Sequence, residues 1–394
     1  MTSAVPASDA FDFALGGEPG RALHARLAAL RRLGPVVPVR FAGQPAWLIT
    51  RHAALAEAFR DGAGFPPGRA YAQTTEPAVG RSFISMEGDE HRVYRALATP
   101  AFRPRAVAAY EGGALAALAH ELLDALAGEA APDLVAGFAQ RLPLVAISRL
   151  LGVAREAEAR FQEWARGLLA FPFDPGTAQR CSAEFTAYLL PLLAERRRHP
   201  RDDVLSELLQ AEIEGKRLGD EDVLSHLRLL FPTGAETTAG AIGNLLYALL
   251  GEPGHWQRLC ERPADRPAAI EELLRWESPV AIVPRVSASR PVVLAGVEIP
   301  ADSRVLFCIA AANRDPQRYP EPDRFDPLRQ PRELLSFGPG PRQCPGMHLA
   351  RVELRVALDV LCERFPRLRL LDAAASQPAG TVLRSPAELR VATR

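Results

Sequence analysis

The sequence predicts a mainly α protein: a large helical part with a smaller β-rich part. Three observations carry that expectation. Apolar residues recur at helical spacing through an Ala- and Leu-rich stretch from Asp89 to Leu250, and short β-like runs gather near the start and beyond Val286. No internal repeat, low-complexity tract or polar linker divides the 394 residues, so one domain over 1–394 is expected, with 1–20 as a flexible N-terminal stretch.

Taken in order, Leu23, Leu27 and Leu30 mark a first helix that Gly34-Pro35 stops. Val36 to Phe41 and Ala46 to Ile49 form a hairpin turning at Gly43-Gln44-Pro45, and His52 to Arg60 is helical. Asp61 to Arg81, rich in Gly and Pro, reads as a long irregular loop. The helical block that follows breaks at Pro132, at residues 171–176 and at Pro200. Asp220 to Leu250 is helical throughout, yet Pro232 and Gly234 stand in its middle, where a proline costs about 3 kcal/mol and a kink is expected. Val292 to Ile299 turns at Gly296, Val305 to Ile309 is strand-like, a last long helix starts at Pro345, and Thr381 to Val391 is strand and turn.

The composition, 48% hydrophobic and 24% charged, is that of an ordinary folded protein. With 47 basic and 47 acidic residues the formal net charge is zero, which argues against a nucleic-acid partner or an anionic lipid surface and for small uncharged ligands. Five cysteines without close pairing read poorly as a disulfide framework and point to a reducing, cytoplasmic setting. The first 20 residues lack a basic segment followed by an apolar run, so no export signal or membrane anchor is expected there.

Residues 337–350 are the most informative stretch: Phe-Gly-Pro-Gly-Pro-Arg-Gln-Cys-Pro-Gly-Met-His-Leu-Ala. Gly338 and Gly340 permit backbone conformations closed to other residues, while Pro339, Pro341 and Pro345 stiffen the same loop. Pro345 suits a first helical turn, which makes Cys344 the N-cap and aims the amides of Gly346 and Met347 at its sulfur, favouring thiolate over thiol. Leu349, Val352, Val356 and Val360 give the helix an apolar stripe. Elsewhere, Glu236, Thr237 and Thr238 come just after the Pro232 and Gly234 break, and an acid beside a hydroxyl can relay protons. Glu272 and Arg275 share a helix face, as do His91 and Arg95. Taken singly these have plainer readings: a buried cysteine at a helix start, a proline that ends one helix before another is capped, and surface ion pairs.

The 337–350 run resembles the haem-binding signature of the cytochrome P450 family, Phe-Gly-x-Gly-x-Arg-x-Cys-x-Gly-x-x-Leu-Ala. Thr233-Gly234-Ala235-Glu236-Thr237-Thr238 resembles that family's oxygen-activation motif. Glu90-His91-Arg92-Val93-Tyr94-Arg95 resembles its helix above the haem edge. The sequence departs from the family pattern at Pro232, at Thr233 where alanine or glycine is usual, and at Glu87-Gly88-Asp89 where Asp-Pro-Pro is usual. The resemblance spans about Val36 to Val391.

What the resemblance implies is the P450 fold, with haem b lying between the kinked long helix and the cysteine-bearing loop. Cys344 would be the axial ligand to iron. His91, Arg95, Arg285 and Arg342 would meet the haem carboxylates, with Phe337, Gly338, Gly346 and Ala350 shaping its bed. Thr237 would hydrogen-bond the oxygen being activated, and Glu236 would help deliver protons. Glu272, Arg275 and Arg324 would form a buried structural network. Ala235, Ala281, Ile282, Val283 and Val382 would touch substrate, together with residues 61–86, 171–176, Leu229 to Ala235 and Thr381 to Leu383.

The activity implied is that of a haem-thiolate monooxygenase that uses O2 to hydroxylate a small hydrophobic substrate. Its two electrons would come from a ferredoxin or flavodoxin with a reductase, because no flavin, nicotinamide or iron-sulfur signature accompanies the haem segment. Arg92, Arg103, Arg105, Arg332 and Arg351 are either part of an acidic partner's docking site or ordinary solvated surface. The rivals are a peroxide-driven peroxygenase, disfavoured by the acid-alcohol pair, and a non-catalytic haem-binding or scaffold protein.

Overall fold

The computed structural model describes residues 11–13, 20–110, 113–153 and 158–393, so most of the 1–20 stretch lies outside the described residues. Helices dominate. The longest, Asp220–Leu250, runs for 31 residues without interruption through Pro232. Proline at 232 leaves Arg228 O without its i+4 amide donor, and the next turns carry added side-chain bonds: Thr233 Oγ1 donates to Leu229 O at 2.7 Å and Thr237 Oγ1 to Thr233 O at 2.7 Å.

This helix joins two cores. Leu224, Leu227, Leu230 and Phe231, in its first half, are buried against Phe161, Trp164 and Phe185. Ile242, Leu245 and Leu249, in its second half, are buried against Leu122, Phe138 and Leu354. At roughly 1.5–3 kcal/mol for each fully buried large apolar side chain, the helix is held from both ends, and the Thr233 to Thr238 segment is fixed where the two cores meet.

A four-stranded sheet closes one flank in the order Val36–Phe41, Gln44–Ile49, Arg304–Cys308, Ile282–Val286. The second and third strands pair in parallel, Leu48 opposite Leu306; the other pairs are antiparallel. The hairpin turns at Ala42-Gly43 and not at Gly43-Gln44-Pro45. Ala42 and Gly43 take φ of 51° and 71°, the pair of left-handed conformations that matches strand twist in a two-residue loop. Asp12 steadies that turn by accepting from both amides, at 2.8 and 2.5 Å. Ile282–Val286 is a strand that the apolar pattern did not separate from the helical block before it.

The stretch expected as a loop from Asp61 to Arg81 contains two short helices, Pro67–Thr74 and Glu76–Val79. Pro66 caps the first and Pro67 and Pro77 stand in first turns, where an absent N–H breaks no helical bond, so proline there marks a start and not irregularity. The final helix is Met347–Arg364, with Gly346 as its N-cap. It therefore begins two residues later than an N-cap at Cys344 requires. Among the described residues, no helix is long and apolar enough to cross a membrane.

Candidate active site

A cavity of about 390 Å³ lies between the long helix and the loop that precedes the final helix. On the loop side, Gly338 and Gly340 take φ of 64° and 90°. A Cβ at Gly338 would stand 3.3 Å from the Phe59 ring, so both the conformation and the close approach require glycine. The loop folds back on itself: Gly338 N donates to Leu335 O at 3.0 Å, Gln343 N to Gly340 O at 3.0 Å, and Cys344 N to Phe337 O at 2.8 Å. Backbone bonds thus hold the Cys344 side chain at the cavity wall, beside Phe337, Gly338, Gly346 and Ala350.

Burial pushes the Cys344 thiol up, while the Gly346 backbone N–H, Arg95 and Arg351 each pull it toward thiolate, the direction expected of a loop that leads into a helix.

On the helix side the cavity meets Leu229, Leu230, Thr233, Gly234, Thr237 and Thr238. Glu236, adjacent to Thr237 in sequence, faces elsewhere: it lies 3.8 Å from Arg166, and burial pushes its carboxyl up while Arg166 opposes. The acid and the alcohol are neighbours along the chain without sharing the cavity wall.

At the cavity edge four nitrogen-bearing side chains converge: His91, Arg95, Arg285 and Arg342. Arg342 donates to Phe83 O and Ile84 O at 3.3 Å and pairs with Glu87. Arg285 lies over the Tyr71 ring, 5.0 Å from its centroid, and donates to Pro284 O. Arg95 donates to Gln343 O. His91 is buried, and its Nε2 has no hydrogen-bond partner among the described residues. Burial first, then Arg342 and Arg95, hold its pKa down at about 4, so the ring is neutral and has a donor or acceptor to spare. A buried polar atom left unpaired costs roughly 1–3 kcal/mol, and a carboxylate-bearing group seated in the cavity would satisfy it among three guanidinium groups. The residues present therefore fit a flat apolar cofactor with acidic substituents at one edge and a sulfur ligand beneath.

Glu272 and Arg275, both buried, form a two-bond pair at 2.7 Å for each contact. The third cation is Arg329 and not Arg324. Arg329 Nε donates to Glu272 Oε1 at 3.0 Å, whereas the Arg324 side chain is exposed and pairs with Glu321 and Asp326. The chain turns at Asp326, whose own N–H bonds Glu272 Oε1 at 3.1 Å, and this leaves Arg324 outside. Only the Arg324 carbonyl faces inward, accepting from Arg275 at 3.3 Å.

Of the expected substrate contacts, Val283 lines the cavity. Ala235 is packed instead into the Phe161 and Phe231 core, while Ala281 and Ile282 belong to the core beneath the sheet. Val382 serves through its backbone, its carbonyl accepting from Ala281 N at 2.8 Å. Residues 171–176 and Thr381 to Leu383 are not among the lining residues, and Phe102, Leu169, Val280 and Ile309 are. Pro67, Tyr71, Thr75, Phe83 and Ile84 do come from the 61–86 stretch.

Sequence reasoning missed Glu353. It is 2% exposed, lines the cavity, and meets the Thr238 side chain; burial pushes its carboxyl up to about 8 against that single hydrogen bond. The available signal was an acid four residues after Leu349 and three before Val356, in the middle of an apolar stripe.

Known proteins share this arrangement. The sequence profile described as Cytochrome P450 matches residues 267–373. Mycinamicin IV hydroxylase/epoxidase of Micromonospora griseorubida is 36% identical over 402 residues, covering 99% of this chain and all of the relative. Erythromycin C-12 hydroxylase of Saccharopolyspora erythraea is 35% identical over 87% of each. Among solved structures, cytochrome P450 CYP109Q5 from Chondromyces apiculatus superposes with a TM-score of 0.87 at 34% identity, covering 94% of this chain and 95% of that one. The fold, the cavity between long helix and cysteine loop, and end-to-end similarity to named hydroxylases agree: the chain belongs to the cytochrome P450 family of monooxygenases.

Proposed function

We propose that this chain is a cytoplasmic haem-thiolate monooxygenase, one P450 domain over 1–394, that binds haem b through the sulfur of Cys344 and hydroxylates a small hydrophobic substrate with O2. Two electrons come from a separate ferredoxin or flavodoxin with its reductase. The observation that carries the reading is that one apolar cavity has Cys344 on one wall, Thr237 on the other and the unpartnered Nε2 of His91 at its edge. Names such as mycinamicin IV hydroxylase/epoxidase among the relatives support hydroxylation as the reaction.

When bound, haem would supply oxygen activation, which electron donation from the Cys344 thiolate would favour. The chain supplies the rest. His91, Arg95, Arg285 and Arg342 would hold the haem carboxylates at the cavity edge, and the glycine loop would keep the Cys344 sulfur still. The Thr237 oxygen, placed by its bond to Thr233 O, has a lone pair to accept a proton-bearing partner while its own hydrogen is engaged. Glu236, its carboxyl raised by burial against the pull of Arg166, stands on the Arg166 side of the helix, and Glu353, raised to about 8, holds a proton at the cavity wall. Leu229, Leu230, Phe102 and Leu169 offer apolar contact to substrate and keep water out.

The test is the Soret spectrum of the reduced carbon monoxide complex. The wild-type chain is expected to give the red-shifted thiolate band and Cys344→Ala to lose it; a thiolate-type spectrum retained in the variant overturns the ligand assignment. Turnover with NADH and surrogate redox proteins, against turnover with peroxide alone, separates the monooxygenase from the peroxygenase.

A further inference from the structure

Cys260 and Cys362 come together far from the cavity. The helix His255–Glu261 runs antiparallel to the end of the final helix, as two ties fix. Trp256 Nε1 donates to Phe365 O at 3.0 Å, and Arg266, beyond the short helix, donates to Asp359 Oδ1 at 2.7 Å. Between those ties, Cys260 stands one turn after Trp256, and Cys362 stands one turn before Phe365 and one turn after Asp359. That register brings the two cysteines to the same apolar core, Cys362 within it and Cys260 packed against it. Arg266 lies against them, its Nε donating to Leu259 O at 2.9 Å.

We propose that Cys260 and Cys362 are a peroxide-oxidisable dithiol that closes to a disulfide and ties the helix His255–Glu261 to the final helix. The two sulfurs have unequal parts. Cys260 is half-buried and Cys362 is 4% exposed, so an oxidant meets Cys260 first. Arg266 lies beside Cys260, its Nη2 donating to Cys260 O at 3.5 Å, and its positive charge favours the Cys260 thiolate.

The chemistry balances with hydrogen peroxide as the oxidant. The Cys260 thiolate attacks one peroxide oxygen, the O–O bond breaks, and the sulfur, oxidised by two electrons, becomes a sulfenic acid while the other oxygen leaves as hydroxide and is protonated to water. The Cys362 sulfur then attacks the Cys260 sulfur. The S–O bond breaks, and the departing hydroxide takes the Cys362 proton and leaves as a second water. Two thiols and one peroxide give one disulfide and two waters.

The test uses the full-chain holoprotein treated with hydrogen peroxide, and in parallel with diamide, then alkylated and mapped by peptide mass spectrometry without reduction. Expected are a linked peptide pair containing Cys260 and Cys362, the loss of two alkylatable thiols, and a Tm higher by several degrees that reductant reverses. Cys362→Ser should leave Cys260 as a sulfenic acid that dimedone traps, and Cys260→Ser should leave Cys362 unmodified. Residues 260 and 362 both alkylatable after oxidation of the wild-type chain, or Cys260 linked to another molecule or another cysteine, overturns the proposal. The wild-type map decides the matter even if a serine variant fails to fold.

Discussion

Glu277 and Glu353 are equally sealed from solvent, 3% and 2% exposed, yet they stand in opposite charge states at neutral pH. For both, burial pushes the carboxyl up. At Glu277, His24, Arg384 and Arg314 overcome that push and hold its pKa at about 2; at Glu353, a single Thr238 hydroxyl leaves it at about 8. The partners also differ in what they join. Glu277 takes bonds from His24 Nε2 at 2.8 Å and Arg384 Nε at 2.6 Å, so it links the helix Gly20–Leu33 to the C-terminal segment. Glu353 reaches no cation, meeting only the Thr238 hydroxyl of the long helix among the described residues, and borders the cavity. Burial alone therefore does not tell a scaffold charge from a proton store; the number of cations within reach does.

The largest effect that bears on this contrast comes from removing Glu277. Glu277→Ala strands Arg384 and Arg314 without their buried counter-charge, and about 3–5 kcal/mol of stability should be lost in chemical denaturation of the holoprotein. A loss under 1 kcal/mol would mean that the cluster is hydrated and not a scaffold. The acid limb has a definite sign. Glu277 is depressed from 4.5 to about 2 and His24 from 6.5 to about 4, so in both cases the unfolded chain binds protons first. Their contribution is present above about pH 6.5 and is lost as pH falls through 4 and then 2.

Glu353 should behave in the reverse sense. Its carboxyl is raised from 4.5 to about 8, so the folded state binds more protons across that interval, and the stability it contributes is complete below 4.5 and disappears as pH rises through 8. Glu353→Gln keeps the shape and a hydrogen-bonding group for Thr238 without the ionisation. The difference in unfolding free energy between variant and wild type should shift in favour of the variant by on the order of 2–4 kcal/mol between pH 5 and pH 9. A difference that stays level across that range would mean that the Glu353 carboxylate is ionised and solvated throughout. In turnover, the same variant should divert a larger share of electrons to peroxide if Glu353 supplies protons at the cavity wall, read as product formed per NADH consumed.

Neither acid was legible as a pair of opposites, and the reason is distance along the chain. The loop at 337–346 could be read because its rules are local: Gly338 and Gly340 need positive φ, and the prolines restrict the same few bonds. The long helix and the first strand pair were readable from periodicity alone. Glu277 meets partners at positions 24, 314 and 384, and nothing near residue 277 announces them. Local rules also misled where their context was misread. Prolines at first-turn positions made two helices between Asp61 and Arg81 look like loop, and adjacency in sequence does not show that Thr237 lines the cavity while Glu236 turns toward Arg166.

The smallest predicted effect concerns a third buried acid, Glu272, whose cation partners were assigned by resemblance and then corrected. Arg329 Nε donates to its Oε1 at 3.0 Å, and the same guanidinium donates to Pro320 O at 2.8 Å and Glu321 O at 3.2 Å. Arg329→Ala removes all three bonds, but Glu272 keeps its two-bond contact with Arg275 and the Asp326 N–H, so the cost should be about 1–3 kcal/mol and not the full penalty of an isolated buried charge. Among the described residues Arg324 pairs with Glu321 and Asp326 at the surface, where such contacts contribute about 0–1 kcal/mol, and Arg324→Ala should change stability by no more than about 0.5 kcal/mol. Its backbone carbonyl, the one part that meets Arg275, survives the substitution. Equal costs for the two variants would mean that the side chains exchange places around Glu272. A larger cost at 324 than at 329 would restore the assignment made by resemblance. Either result would make Glu272 a different case from Glu277, whose cations are each held by further bonds of their own: Arg384 to Gly20 O and Gly380 O, and Arg314 to Trp276 O.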